Sequence, residues 1–171
     1  MSSPAPARCS GCRQLPHSWG AGRCFVLADE RTHRAAGEAV CAALDNSRIP
    51  YTEYVLPGNT VKPDEKTVGA AVMHFDRRCD LVIGVGSGVI NDVGKLLSKT
   101  AGTPYIIVGT APSMDGYASA TSSMDVDGLK VSLPSRCADA VVGDPPFPQA
   151  DVFCQHIPQP GNQHPFRRLP L

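Results

Sequence analysis

The chain has 171 residues, room for one domain of ordinary size. Its 16 Lys and Arg balance its 16 Asp and Glu, so no net field draws it to nucleic acid or to an anionic membrane. No apolar run approaches the ~20 residues needed to span a bilayer, and the first residues lack the apolar core of a secretory signal.

Residues 1–22 read as an unstructured extension, rich in Pro, Ser and Cys, with Arg8 and Arg13 but no acid. Cys9-Ser-Gly-Cys12 is a lone C-x-x-C. A zinc site needs a second pair at a suitable spacing, and a redox pair belongs at a helix start. Pro4, Pro6, Gly11 and Pro16 crowd this one, so neither use is assigned. The chain has seven cysteines, an odd number. Cys24 and Cys41 fall in apolar strand and helix patterns, where free cysteine behaves as a small core residue. A reducing, cytoplasmic compartment follows.

From 23 to 144 the pattern alternates. Cys24–Ala28 reads as a buried strand. Residues 32–45 read as a helix, with Ala35, Ala36, Val40, Ala43 and Leu44 at helical spacing. Tyr51–Leu56 reads as a short strand and Asp64–His74 as a helix. Leu81–Val85 is a strand, Ile90–Thr100 a helix and Tyr105–Val108 a strand. Such alternation implies βαβ units on a parallel sheet, a Rossmann-like α/β fold. After a polar loop at 109–119, residues 122–132 look like a β-hairpin around Asp127-Gly128. Ala138–Val142 reads as one more strand. Residues 145–171 hold seven of the 16 prolines and three charged residues, and are expected to be coil.

The most informative segment is Gly84-Val-Gly-Ser-Gly-Val-Ile-Asn-Asp-Val-Gly-Lys95, which continues the apolar run Leu81-Val82-Ile83. Small residues at Gly86, Ser87 and Gly88 let backbone approach a ligand. A helix opening near Val89 or Ile90 aims unpaired N–H groups and its positive end at that space, which favours a phosphate. The segment fits neither common nucleotide motif. G-x-G-x-x-G from Gly84 and a Walker A loop ending at Gly94-Lys95 both require glycine where Val89 stands, and the latter requires Ser or Thr where Leu96 stands. A tight turn without a ligand is the alternative.

The loop Thr110-Ala-Pro-Ser-Met-Asp-Gly-Tyr-Ala-Ser119 follows the strand ending at Val108. Ligands of open α/β sheets bind outside the carboxyl ends of strands, so this loop and the glycine turn face one edge. Thr110, Ser113 and Ser119 offer hydroxyls and Asp115 a carboxylate. An Asp that only caps its own turn is the alternative for Asp115.

Together the two segments, with Phe25-Val-Leu-Ala-Asp-Glu-Arg-Thr-His-Arg-Ala-Ala-Gly37, resemble the bacterial-type sn-glycerol-1-phosphate dehydrogenase family. That family lies within the superfamily of iron-containing alcohol dehydrogenase, glycerol dehydrogenase and dehydroquinate synthase. The resemblance covers residues 23–144. It implies an enzyme that interconverts dihydroxyacetone phosphate and sn-glycerol 1-phosphate, a small phosphorylated substrate, with NAD or NADP. By match, Gly86, Gly88, Val89, Ile90, Asn91 and Asp92 line the cofactor pyrophosphate. Thr110, Ser113 and Ser119 contact the cofactor nearer the nicotinamide, Asp115 contacts the substrate, and Asp29 takes a ribose hydroxyl. A carboxylate at Asp29 disfavours a 2′-phosphate by charge. The resemblance also admits a homo-oligomer.

The chain departs from the family after Asp144. The family continues into a helical C-terminal domain whose Asp and two His hold a divalent metal, zinc or nickel, that polarises the substrate carbonyl. Here Gly161-Asn162-Gln163 stands roughly where the metal Asp belongs, and His156 and His164 fall in proline-rich sequence. No metal ligand is therefore assigned, and the helical domain is expected to be missing. The change at Pro145 reads as a shifted frame or an alternative terminus. The expectation is a truncated, inactive member of the family. A non-catalytic nucleotide-binding fragment, or an enzyme like glycerol dehydrogenase or dehydroquinate synthase, are the alternatives.

Overall fold

The computed structural model of the chain describes residues 21–58, 60–111 and 115–143, with only the backbone at Asp115 and Ala118. The expectations for 1–20 and for 145–171 lie outside the described residues. The strands are β1 (Cys24–Asp29), β2 (Tyr51–Leu56), β3 (Leu81–Gly86), β4 (Tyr105–Gly109), β5 (Thr121–Val126), β6 (Leu129–Pro134) and β7 (Ala140–Gly143). Helix α1 spans 30–46, α2 is Glu65–His74 and α3 is Gly88–Ala101. Among the described residues no helix is long and apolar enough to cross a membrane.

Five strands form one sheet in the order β2-β1-β3-β4-β7, every pair parallel. β1 and β3 are buried along their whole length. That is why they read as unbroken apolar runs rather than as alternating ones. Side chains of a strand still alternate between faces. Cys24, Val26 and Ala28 enter a core with Val40, Cys41 and Leu44 of α1. Phe25 and Leu27 enter a second core with Ala71 of α2 and Ile90, Val93 and Leu97 of α3. The sheet is therefore covered on both faces, as the alternating pattern implies.

Helix α1 begins two residues earlier than the apolar spacing predicts. Asp29 caps it: its Oδ1 accepts the Arg31 and Thr32 N–H groups at 2.9 and 2.8 Å, and Thr32 Oγ1 accepts the Asp29 N–H at 3.0 Å. This is a reciprocal capping box. The helix is also not uniform, because residues His33–Gly37 form a π turn that the sequence pattern does not announce. Helix α3 begins at Gly88, ahead of the expected Ile90, and stops at Gly102, whose φ of 68° is the left-handed cap that glycine adopts freely.

The β5–β6 hairpin turns at Asp127 (φ 51°) and Gly128 (φ 79°), the two successive positive φ values of a type I′ turn. It is clipped to the start of α2: the Asp125 N–H donates to the Pro63 carbonyl at 2.8 Å and the Asp127 N–H to Glu65 Oε1 at 2.9 Å. On the other side Ser122 Oγ donates to the Asp92 carbonyl of α3 at 3.1 Å.

Asp64 caps α2, its Oδ1 accepting the Thr67 N–H at 2.8 Å. That bond holds the carboxyl below its ordinary value. A lowered folded value contributes stability above the unfolded value of ~3.9, and the contribution is lost as pH falls through the folded value. Asp64→Ala should cost about 0.5–2 kcal/mol at neutral pH. The cost should shrink in acid. Urea midpoints of both proteins at neutral and acid pH measure this.

Candidate functional site

β1 is flanked by β2 on one side and β3 on the other. The chain therefore leaves the ends of β1 and β3 in opposite directions, and a crevice opens where they part. Open α/β sheets bind ligands at this point. A cleft of about 290 Å³ lies there, between Asp29, Arg31, Thr32 and Ala35 on one wall and Ser87, Val89, Ile90 and Thr110 on the other, with Val61 beside them. Its volume sits at the lower limit of the ~300–1,000 Å³ typical of ligand pockets. It suits part of a nucleotide, such as a ribose and pyrophosphate.

The first bond of α3 runs from the Asn91 N–H to the Ser87 carbonyl at 2.9 Å. The amides of Gly88, Val89 and Ile90 precede it and have no partner within the helix. Ser87 occupies the cap position without a side-chain hydrogen bond to the helix. The positive end of a 14-residue helix therefore opens beside Val89 and Ile90, which line the cleft. Thr110 is fixed alongside, its N–H donating to the Gly86 carbonyl at 3.0 Å.

The expected site residues divide. Asp29, Val89, Ile90 and Thr110 line the cleft, and Gly88 heads the helix beside it. Gly86 has a different use from the one its sequence suggests. A Cβ there would lie 2.5 Å from Ile90 Cγ1, so the missing side chain admits Ile90, not a ligand. Asn91 and Asp92 do not line the cleft. Asn91 Nδ2 donates to the Gly116 carbonyl at 3.1 Å, and Asp92 Oδ1 lies 3.5 Å from Lys95 Nζ. With the helix starting at Gly88, Asp92 falls in the second turn, beyond the exposed amides. Ser119 lies outside the cleft, its Oγ 2.8 Å from Thr121 Oγ1. Ser113 lies outside the described residues, and Asp115 is placed by its backbone in a 3₁₀ turn, Asp115–Ala118.

Lys95 is the residue the sequence reading passed over. Its side chain is 0% exposed. Its ammonium donates to the carbonyls of Gly116 and Ser119, each at 3.1 Å, and of Thr121 at 2.8 Å. A buried charge needs such a shell. Burial holds Lys95 below its ordinary value while Asp92 opposes the shift, and burial raises the Asp92 carboxyl while Lys95 opposes that. The signal in the sequence was a lysine one turn from Asn91 and Asp92, on a face shared with Ser98. Tyr117 completes the arrangement. Its hydroxyl donates to the Ala111 carbonyl at 3.0 Å, and a Cβ at Gly109 would lie 2.8 Å from that hydroxyl. Lys95 thus ties the segment after β4 to α3.

Lys95→Met should strand the carbonyls of Ser119 and Thr121, at about 1–3 kcal/mol. A lower urea midpoint and faster proteolysis within 115–121 are expected. An unchanged midpoint would show that the three bonds contribute nothing net.

A family model described as iron-containing alcohol dehydrogenase matches residues 9–150. The glycerol-1-phosphate dehydrogenase [NAD(P)+] of Geobacillus thermodenitrificans is 32% identical over 133 residues, covering 76% of this chain and 32% of that protein. The protein of the same name from Thermococcus kodakarensis is 32% identical over 123 residues, covering 72% and 34%. The chain thus spans about a third of the length of these curated relatives. Among solved structures, glycerol dehydrogenase from Schizosaccharomyces pombe superposes with a TM-score of 0.66 at 20% identity, over 78% of this chain and 34% of that one. Maleylacetate reductase from Rhizobium sp. strain MTP-10005 gives 0.66 at 19%, over 84% and 42%. At these identities the structural likeness concerns the fold.

Proposed function

Because the chain belongs to the iron-containing alcohol dehydrogenase family, we propose that residues 23–144 form the NAD(P)-binding part of a polyol-phosphate dehydrogenase. Its reaction is the interconversion of dihydroxyacetone phosphate and sn-glycerol 1-phosphate. The observation that carries this reading is the open end of α3 at the cleft where β1 and β3 part. The substrate is supported by the relatives named glycerol-1-phosphate dehydrogenase and by the wording of Thr110–Ser119.

The residues fit a pyrophosphate. The amides at the start of α3 would take its oxygens, with Gly88 and Val89 closest and Ile90 forming the apolar floor. Thr110 would face the cofactor from β4. Asp29 has one oxygen committed to the α1 cap, and it would offer a ribose hydroxyl the other. Arg31 lines the same wall and is exposed. A guanidinium there can pair with a 2′-phosphate, so use of NADP alongside NAD is part of the reading. Asn91 and Asp92 would act through α3 and the 115–121 segment rather than by touching the cofactor. Ser113 and Asp115 keep the roles the resemblance implies. When bound, the nicotinamide supplies or accepts the hydride.

The family's divalent metal needs an Asp and two His. The described residues gather no such set at the carboxyl edge, so no step is derived through a metal. A second reading, in which the chain binds nucleotide without catalysis, rests on the same cleft.

Two measurements bear on this. Gly88→Val puts a branched side chain at the head of α3. It should weaken NADH binding at least tenfold in a fluorescence titration while circular dichroism stays unchanged. Equal affinity would remove the phosphate cradle. The second follows NADH absorbance with the chain, dihydroxyacetone phosphate and added zinc or nickel. Little or no turnover is expected, because metal-type stabilisation of the developing oxyanion is a large catalytic term. Turnover at ~1–10³ per second would show a complete catalytic site and sink the non-catalytic reading.

A further inference from the structure

We propose that His33, Cys41 and Glu53 form a zinc-binding site on the β2 side of the sheet, separate from the cleft. One ligand atom from each lies within 4.8 Å of the other two. His33 Nε2 already contacts Glu53 Oε1. His33 and Cys41 come from α1, and Glu53 from the middle of β2, paired with Val26 of β1. The cleft residue of β1, Asp29, is three positions further along that strand.

The donor set suits zinc, which accepts nitrogen, sulfur and oxygen together at ~2.0–2.3 Å. A tetrahedral ion separates such donors by roughly 3.3–3.7 Å, so the cluster closes with shifts of about an ångström. The imidazole and carboxylate are 22% and 31% exposed, which leaves an entry path, and the thiol is buried behind them.

Two features of α1 favour this placement. Residues eight apart on a regular α-helix differ by roughly 80° around the axis. The π turn at His33–Gly37 accommodates one extra residue. The spacing then acts as seven, about 20° from in line, and brings His33 over Cys41. Gly37 is the second feature. A Cβ there would lie 2.6 Å from His33 Cδ2, so only glycine leaves room for the ring. Glycine and a π turn both weaken a helix. They coincide at the residue whose imidazole they position, and π turns are frequent at functional sites. A bound ion would staple α1 to β2, the strand that ends the sheet on this side.

Cobalt(II) titration of the 171-residue chain tests the site, since a thiolate ligand gives cobalt a near-ultraviolet charge-transfer band. Saturation at one equivalent is expected, with displacement by zinc. Cys41→Ser should abolish the band. His33→Gln and Glu53→Gln should weaken binding at least tenfold. Gly37→Ala, which keeps all three donors, should do the same by displacing the imidazole. Circular dichroism checks that each variant folds. If Cys41→Ser unfolds, the partly exposed His33 and Glu53 variants decide the question. No binding at one equivalent overturns the proposal. So does a band that survives Cys41→Ser undiminished, because the ion would then sit on other thiols. Unchanged affinity in the folded His33, Glu53 and Gly37 variants likewise overturns it, leaving an ordinary His–Glu pair beside a core cysteine.

Discussion

The close approach of α3 to β3 and β4 is the constraint on which the rest of the molecule depends. Three glycines allow it. A Cβ at Gly84 or at Gly94 would lie 2.5 or 2.6 Å from atoms of Tyr105, and one at Gly86 would meet Ile90 at 2.5 Å. Tyr105 fills the space between strand and helix and is wholly buried. Larger residues at these positions would force the helix outward, because packed interiors have little slack. The helix would then no longer deliver its first amides to the carboxyl edge of the sheet. What looks in sequence like a glycine loop shaped for a ligand is largely a glycine seat for a helix and a tyrosine. The ligand space is a consequence of where that helix ends.

The same packing sets the polar chemistry behind the cleft. With α3 pressed onto the sheet, Lys95 has no path to solvent, and its charge must be met from the segment that follows β4. Three carbonyls meet it, and Asn91 adds a further bond to Gly116. The 116–121 segment is thereby fixed against the helix without any strand pairing to the main sheet. A second fastening lies at the far edge. Asp139 brackets Tyr105, donating its N–H to the Tyr105 carbonyl at 2.7 Å and accepting the Tyr105 N–H at 2.8 Å, while Arg136 pairs with the carboxylate at 3.2 Å. This brings β7 against β4. The Tyr105 hydroxyl and Asn91 Oδ1 are buried without a hydrogen-bond partner among the described residues, next to the same segment. Unmet buried groups are costly, and two more among the described residues, Ser135 Oγ and Arg136 Nε, lie between β6 and β7.

The two walls of the cleft are built on different principles. The α3 wall is backbone: amides and a helix end, indifferent to most side chains. The α1 wall is side chain: Asp29, Arg31 and Thr32, with Asp29 and Thr32 locked to each other by the capping box. The proposed zinc site hangs from the same helix, its His33 and Cys41 one and nine residues beyond Thr32. One helix thus carries both features.

The sequence by itself determined the order of strands and helices, the hairpin turn at Asp127-Gly128 and the parallel sheet. These are local or periodic properties: apolar runs on buried strands, helical spacing on amphipathic helices, and turn residues with left-handed preference. It also identified the edge at which the cleft opens, because that edge follows from topology. Tertiary structure alone decided which residues reach the cleft. Asn91 and Asp92 stand beside Ile90 in the chain, yet a helix turns each successive side chain by about 100°, which carries Asn91 to Gly116 and Asp92 to Lys95. It decided that Gly86 serves Ile90, that Lys95 is buried, and that His33, Cys41 and Glu53 meet. The spacing of Lys95 to Asn91 and Asp92 hints at one of these; the others depend on contacts between elements that the chain brings together only when the sheet is complete.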